Sequence, residues 1–94
     1  MMLYTLTPPS DPADRVLFFP SFEAALDALG GRADRRLFRV AVRVDECRRR
    51  LIPVDPNTEG VDPLWTTPAQ VHGDGTVTAR APIPAALYVG ECSG

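Results

Sequence analysis

The segment "RRLFRVAVRVD", residues 35–45, carries the clearest strand pattern in this chain. Two sets of side chains alternate along it: Phe38, Val40, Val42 and Val44 in one set, and Leu37, Arg39, Ala41 and Arg43 in the other. Because successive side chains of a strand point to opposite faces, the alternation predicts one long strand whose first set faces the core. The two arginines predict that the second face is at least partly in contact with water.

The segment "RVLFFPSFEAALDAL", residues 15–29, predicts a strand that leads directly into a helix. Its apolar run, which ends at Pro20, is typical of a strand buried on both faces. Ser21 is placed to cap the helix, because its hydroxyl can accept from the free amides of the first turn. Apolar residues at positions 22, 25, 26 and 29 form one face, and Gly30 can close the helix in a left-handed conformation. We therefore expect a helix from about Phe22 to Leu29.

The remaining chain predicts short strands joined by turns. Residues 3–7 read as an opening strand, residues 69–81 as a hairpin around "GDG", and residues 87–91 as a last strand. After a turn over residues 46–50, which Asp45 can cap, Leu51 brings the chain back to the core. Residues 53–68 contain four prolines and predict a loop that Leu64 and Trp65 attach to the body. The total is five or six strands and one good helix.

Length and composition indicate a single domain over residues 1–94. Hydrophobic residues make up 45% of the chain and charged residues 23%, as in globular proteins. A net charge of -2 gives no overall attraction to nucleic acid or to an anionic membrane, so protein or small-molecule partners are favoured. No apolar run approaches the roughly 18 residues that cross a bilayer, and no secretory signal is visible, so we expect a cytoplasmic protein.

Residues that could carry chemistry are few and dispersed. His72 is the only histidine and lies beside the predicted turn, where it is either a turn residue or a catalytic base. Cys47 and Cys92 lack metal-site spacing, and no two carboxylates form a pair by spacing, so we expect no metal site and no catalytic pair. Five arginines could form a basic patch for phosphate or an acidic protein surface, or a solvated turn: Arg39, Arg43, Arg48, Arg49 and Arg50.

The order of these elements, with "LYTLT", "VLFFPS" and a final "LYVGE", resembles a reduced ADP-ribosyltransferase. The likeness is to the branch that contains poly(ADP-ribose) polymerases and rifampin ADP-ribosyltransferases. It implies an α+β fold, with one main helix and a small, split, mostly antiparallel sheet whose cleft binds NAD. In that branch a histidine on the first strand holds the nicotinamide ribose and a tyrosine on the second stacks on nicotinamide. A late strand commonly offers a catalytic glutamate or another polar residue.

Position by position, the resemblance places Thr5 at the histidine and Phe18 at the tyrosine, with Ser21 just beyond. The late strand "GTVTARA" offers threonines and no carboxylate. The resemblance therefore implies a degenerate site, because a missing electrostatic group costs about 3 to 4 kcal/mol of transition-state stabilisation.

The resulting functional hypothesis is a non-enzymatic protein, without a cofactor, that binds another protein. A bacterial or phage inhibitor, immunity or accessory protein would suit its size. The expected contact surfaces are the loop at residues 53–68, with Trp65, and the five arginines. The alternative is a divergent NAD-dependent ADP-ribosyltransferase or NAD-binding toxin that binds its ligand at Thr5, Phe18 and Ser21. A third hypothesis is a domain that only oligomerises.

Overall fold

A computed structural model describes residues 2–92 of the chain. These residues form eight β-strands, one α-helix and a 3-10 turn at Ala85–Leu87. In chain order the elements are β1 (Leu3–Thr5), β2 (Arg15–Phe19), α1 (Phe22–Leu29), β3 (Leu37–Val40), β4 (Val42–Asp45), β5 (Arg50–Pro53), β6 (Thr67–Val71), β7 (Val77–Arg80) and β8 (Tyr88–Cys92).

All the strands pair antiparallel in one sheet, in the order β4-β5-β6-β7-β2-β1-β3-β8. β4 lies at one end of this order and β3 lies next to the other end, yet only Ala41 separates them in the chain. The sheet must therefore curl far enough to bring its two ends close together at Ala41. At Ala41 the amide donates to the Leu87 carbonyl at 2.7 Å, and the carbonyl accepts from the Val54 amide at 2.9 Å.

The expectation of an α+β split sheet with five or six strands is wrong. Over residues 2–92 the domain is mostly β, with eight strands in a curled half-barrel and one short helix. The long strand predicted at residues 37–45 divides at Ala41, where the chain changes its hydrogen-bonding partners from β8 to β5. Residues 50–53, which we expected only to return the chain to the core, form β5. These two differences account for the additional strands.

The interior of the curl is filled by apolar side chains. They come from β1 to β5, from β7 and from the segment before β8: Leu3, Val16, Phe18, Val40, Val42, Leu51, Val77, Ala79, Ile83 and Leu87. Each is at most 6% exposed. Side chains in such a cluster pack at nearly crystalline density, so the curl encloses a solid core.

The strand β2 differs from its prediction, because it is not buried on both faces. Val16 and Phe18 point into the core, whereas Arg15 and Leu17 are exposed, Leu17 by 42%. An antiparallel sheet needs only one buried face, and α1 covers only part of the other face of β2. The alternation was hidden in the sequence because Leu17 is as apolar as its neighbours.

The helix α1 confirms the predicted bounds and both predicted caps. The Ser21 hydroxyl accepts from the Ala24 amide at 3.2 Å, and Gly30 adopts the left-handed conformation with φ of 57°. α1 packs across the outside of β1, β2 and β3. Ala25 is fully buried there, and the Phe22 ring meets the Tyr4 ring edge-on at 6.0 Å. Ser21 is thus a structural residue that fixes where the helix begins.

Replacing Ser21 with alanine should lower the free energy of unfolding by about 1 kcal/mol, because the first helical turn loses its side-chain cap. The melting temperature should fall by roughly 4–8 °C for a domain of this size. Urea unfolding followed by circular dichroism measures the change. Ser10→Ala, at an exposed loop position, is the matched control, and equal losses in the two variants would contradict the capping role.

Candidate functional site

Phe18, the residue expected to stack on nicotinamide, lies in the core. Its side chain is 0% exposed and belongs to the apolar cluster inside the curl. Its backbone pairs with Val77 of β7 on one side and with Thr5 of β1 on the other. No open cleft separates the first two strands, because they are direct neighbours in the sheet. The Phe18 ring therefore has no face for a bound ligand in this fold.

Thr5 and Ser21, the other two expected ligand residues, use their hydroxyls inside the protein. Thr5 is 0% exposed, and its Oγ1 donates to the Leu17 carbonyl at 2.8 Å and accepts from the Thr7 amide at 3.2 Å. Ser21 caps α1. The structure does not bring Thr5, Phe18 and Ser21 to a common surface, so this geometry gives no support to an NAD site at these residues.

The β6–β7 hairpin confirms its prediction and orients His72. The His72 amide donates to the Thr76 carbonyl at 2.8 Å, and its Nε2 lies 2.6 Å from the Thr78 hydroxyl. Asp74 at the tip accepts from the Thr76 hydroxyl and amide, and these bonds hold the pKa of the Asp74 carboxyl below its usual value. These bonds connect the side chains of His72, Asp74 and Thr76 to partners within the hairpin, so they stabilise the turn.

Four of the five candidate arginines lie on the hairpin formed by β4 and β5. Arg43 is on β4, Arg48 and Arg49 are in the turn, and Arg50 is on β5. Arg43 and Arg50 share the outer face, because Arg50 pairs with Asp45, two residues beyond Arg43. Arg39 is also exposed, but it lies on β3, beyond Ala41. The sequence therefore predicted a patch that the structure gathers only in part.

Two of these arginines have partners. The Nε of Arg48 lies 2.7 Å from Oδ2 of Asp45, and this hydrogen bond holds the pKa of the Asp45 carboxyl below its usual value. The Nε of Arg50 donates to the Thr66 hydroxyl at 2.5 Å. Within residues 2–92, Arg43 has no carboxylate within ion-pair distance. On the outer face of the hairpin, Arg43 is thus an unpaired cation, whereas Arg48 and Arg50 are held by Asp45 and Thr66.

The loop between β5 and β6, residues 54–66, is a series of hydrogen-bonded turns. Asp55 accepts from the Asn57 amide through its carboxylate and from Thr58 through its carbonyl. Asp62 accepts from the Leu64 amide through its carboxylate at 2.8 Å and from the Trp65 amide through its carbonyl at 2.9 Å. The loop has a defined path without regular secondary structure.

Leu64 and Trp65 were both expected to attach this loop to the body of the domain, but the structure places their side chains differently. Trp65 packs against the core cluster and confirms its anchoring role. Leu64 points away and is 86% exposed, so its anchoring role is wrong. The Asx turn at Asp62 fixes the backbone between them, with the Leu64 side chain in solvent and the Trp65 side chain against the core.

The concave features of the surface are shallow. One of them, about 590 Å³, opens between the β4–β5 turn and β6 and is lined by Val44, Glu46, Arg49, Ala69, Gln70 and Val71. Another, about 260 Å³, lies beside the β1–β2 loop and contains Asp11 and Tyr88.

Burial, and secondly the Asp11 charge, raise the pKa of Tyr88 to about 12. The Tyr88 phenol therefore stays protonated under ordinary conditions and cannot serve as a base there.

A pair of arginines that the sequence did not single out lies elsewhere on the outside of the sheet. Arg15 of β2 stands directly opposite Arg80 of β7. The signal in the sequence was weak, because each arginine merely borders a strand and the pairing of β2 with β7 joins segments about 65 residues apart, beyond the reach of local patterns.

Residues 2–92 contain no cluster of three or more histidine, cysteine, aspartate or glutamate side chains that could hold a metal ion. Cys47 and Cys92 are free thiols. The helices of the described chain are too short to cross a membrane.

Comparison of the chain with protein families, with characterised proteins and with solved structures finds no match. The likeness to ADP-ribosyltransferases therefore stays a prediction from the order of elements, and function has to be argued from this surface.

Tyr88 provides a test of the packing beside the β1–β2 loop. Its pKa in the unfolded chain is about 10 and in the folded protein about 12. The unfolded state therefore loses this proton at a lower pH than the folded state does. The stability that the protonated Tyr88 contributes to folding is complete below pH 10 and is lost as the pH rises through 12. We expect the free energy of unfolding to fall over that interval in urea titrations.

Tyr88→Phe should reduce this fall, whereas Tyr4→Phe should keep it, because Tyr88 is still present. The same pH dependence in wild type and Tyr88→Phe would contradict the assignment.

Proposed function

We propose that this protein is a non-enzymatic domain that binds another protein through one surface, here called the hairpin–loop surface. It consists of Arg43, Arg48 and Arg50 on the outer side of the β4–β5 hairpin, together with Leu64 on the adjoining loop. The observation that carries the proposal is the exposure of Leu64 from a loop with a fixed path. An inhibitor, immunity or accessory role would suit such a domain.

Leu64 has the properties of a binding anchor. Its side chain is 86% exposed, although burying a leucine is worth about 1.5–3 kcal/mol. The hydrogen bonds from the Leu64 and Trp65 amides to Asp62, and the packing of Trp65, fix the backbone on both sides. A partner that buries Leu64 therefore gains apolar contact without first ordering the loop, and such preorganisation favours affinity.

The arginines lie close to this anchor. Arg50 donates to the Thr66 hydroxyl, and Thr66 is two residues from Leu64, a stretch that spans at most about 7 Å. Arg43 follows on the same outer face, one strand further. Arginine is enriched in protein interfaces, where its planar guanidinium forms paired hydrogen bonds with carboxylates. The surface thus combines one apolar anchor with a cationic border.

This chemistry favours a partner that has an apolar pocket bordered by acidic side chains. Arg43 has no carboxylate within ion-pair distance in residues 2–92, so it is free to pair across an interface. Arg48 is already paired with Asp45, and this pair limits the positive charge. Leu64 therefore carries more of the expected affinity than any single arginine.

The buried positions of Phe18 and Thr5 do not favour the alternative of an NAD-dependent enzyme. The same purified protein tests it. Incubation with NAD should leave the dinucleotide intact, and calorimetric titration with millimolar NAD should give no heat of binding. Turnover of NAD at a useful rate would overturn the non-enzymatic proposal.

A photo-crosslinking residue placed at position 64, in cells of the source organism, should capture a protein partner. The matched control carries the same residue at Val89, which is also an exposed apolar position, 42% on β8. Adducts equal at both positions, or none at position 64, would contradict the proposed surface.

Once the partner is identified, Leu64→Asp should weaken its binding by roughly 30-fold or more, as expected for a central anchor. Arg43→Glu should weaken binding further, chiefly by slowing association. Val89→Asp is the matched control and should bind like wild type in calorimetry, with circular dichroism to establish that all three variants fold. Unchanged affinity of folded Leu64→Asp would overturn the role of the anchor.

A further inference from the structure

Arg15 and Arg80 form a pair of like charges on the outer face of the sheet. They are register partners across β2 and β7. Their neighbours Val16 and Ala79 are buried in the core, so the two guanidinium groups project outward, and both residues are exposed. The pair is therefore accessible from solvent.

The backbone brings the two side chains close together. Next to them, the Ala81 amide donates to the Asp14 carbonyl at 3.2 Å, which marks Asp14 and Ala81 as a hydrogen-bonded pair. Hydrogen-bonded and non-hydrogen-bonded pairs alternate along an antiparallel pair of strands. Arg15 and Arg80 are therefore a non-hydrogen-bonded pair, whose Cα atoms lie about 4.5 Å apart. Like charges directly opposite each other destabilise a sheet, and an anion between them would remove that repulsion.

Acidic side chains within the described chain do not neutralise this pair. The ion pairs of residues 2–92 involve Arg32, Arg36 and Arg48 only. Arg15 and Arg80 border a depression of about 180 Å³ whose other lining residues are all uncharged: Pro68, Ala69, Gln70, Thr78 and Ala79. The nearest acid along the chain, Asp14, lines a different depression.

The uncharged side chains around the pair add hydrogen-bond donors. Gln70 and Thr78 are themselves register partners and lie on the same outer face, two positions from Arg80. The Thr78 hydroxyl is 2.6 Å from Nε2 of His72. When Nε2 donates this bond, the hydroxyl proton is free for a ligand. The depression thus joins two guanidinium groups to an amide and a hydroxyl.

We propose that this depression, defined by Arg15, Gln70, Thr78 and Arg80, binds a phosphate group. A phosphate monoester carries a charge of about -1.5 to -2 and three acceptor oxygens, which match two cations and two neutral donors. A carboxylate carries one charge and would leave one guanidinium uncompensated. The phosphate is either free or part of a monoester, since both present the same oxygens.

This site is separate from the hairpin–loop surface. It lies on β2, β6 and β7, whereas Arg43 and Arg50 lie on β4 and β5. Neither proposal needs the other, so substitutions at Arg15 or Arg80 can fail in the phosphate test without bearing on the role of Leu64.

Titration of the ¹⁵N-labelled protein with inorganic phosphate, at constant ionic strength and pH, tests the site by NMR. We expect saturable shifts at the amides of residues 15, 70, 78 and 80. Arg80→Gln and Arg15→Gln should each weaken binding at least tenfold. Arg32→Gln removes one exposed arginine charge elsewhere and should leave the affinity unchanged. Unsaturable shifts in wild type, or equal affinity in Arg80→Gln, would overturn the proposal.

Two further ligands identify the chemistry. Phenyl phosphate that binds more tightly than inorganic phosphate would assign the site to a monoester, and equal binding would assign it to free phosphate. Acetate should bind at least tenfold more weakly than either, and acetate binding as tightly as phosphate would refute the phosphate assignment. The dispersed amide spectrum of each variant shows whether it is folded, and Arg15→Lys provides a second, charge-preserving variant with intermediate affinity expected.

Discussion

The hydrogen bonds of Ala41 are the constraint on which the rest of the structure depends. Its amide bonds to the segment before β8 and its carbonyl to the segment after β5, so the chain on either side pairs with different strands. Ala41 is 7% exposed, and both of its neighbours, Val40 and Val42, are fully buried. A strand that must satisfy partners at both ends of a sheet forces that sheet to curl, and the curl creates the enclosed core.

The curl also decides where function can lie. Side chains that point inward pack against one another, as Phe18 does, or satisfy their polar atoms within the protein, as Thr5 does. A split sheet would leave a cleft between such residues, but this sheet has its first two strands paired directly. The groups available for recognition are therefore those on the outer face and on the loops, the loop before β6 among them.

Local features were predictable from the sequence. The bounds and caps of α1 and the β6–β7 hairpin depend on contacts within a few residues, and the sequence carries those contacts directly. The strand count was not predictable, because a division at Ala41 leaves the alternating pattern of residues 37–45 intact. The position of Arg15 opposite Arg80 depends on the pairing of two strands that are distant in sequence, and the exposure of Leu64 depends on one Asx turn. The periodicity of hydrophobic residues within a segment predicts neither feature.

The register of the sheet links the two proposed sites along one row of the outer face. Arg50 of β5 pairs with Pro68 of β6, and Pro68 borders the depression that Arg80 and Arg15 define. Adjacent strands lie about 4.8 Å apart, so three guanidinium groups occupy four neighbouring strands although the chain carries a net charge of -2. Local charge, and not the net charge, governs contacts within a Debye length of about 8 Å at physiological salt. Arg50 lies two strand spacings, about 9.6 Å, from Arg80 and three, about 14 Å, from Arg15. A phosphate bound between Arg15 and Arg80 therefore lies beyond that length from Arg50, and solvent largely screens its charge there. The two proposed sites share one row of the sheet and can still be occupied independently.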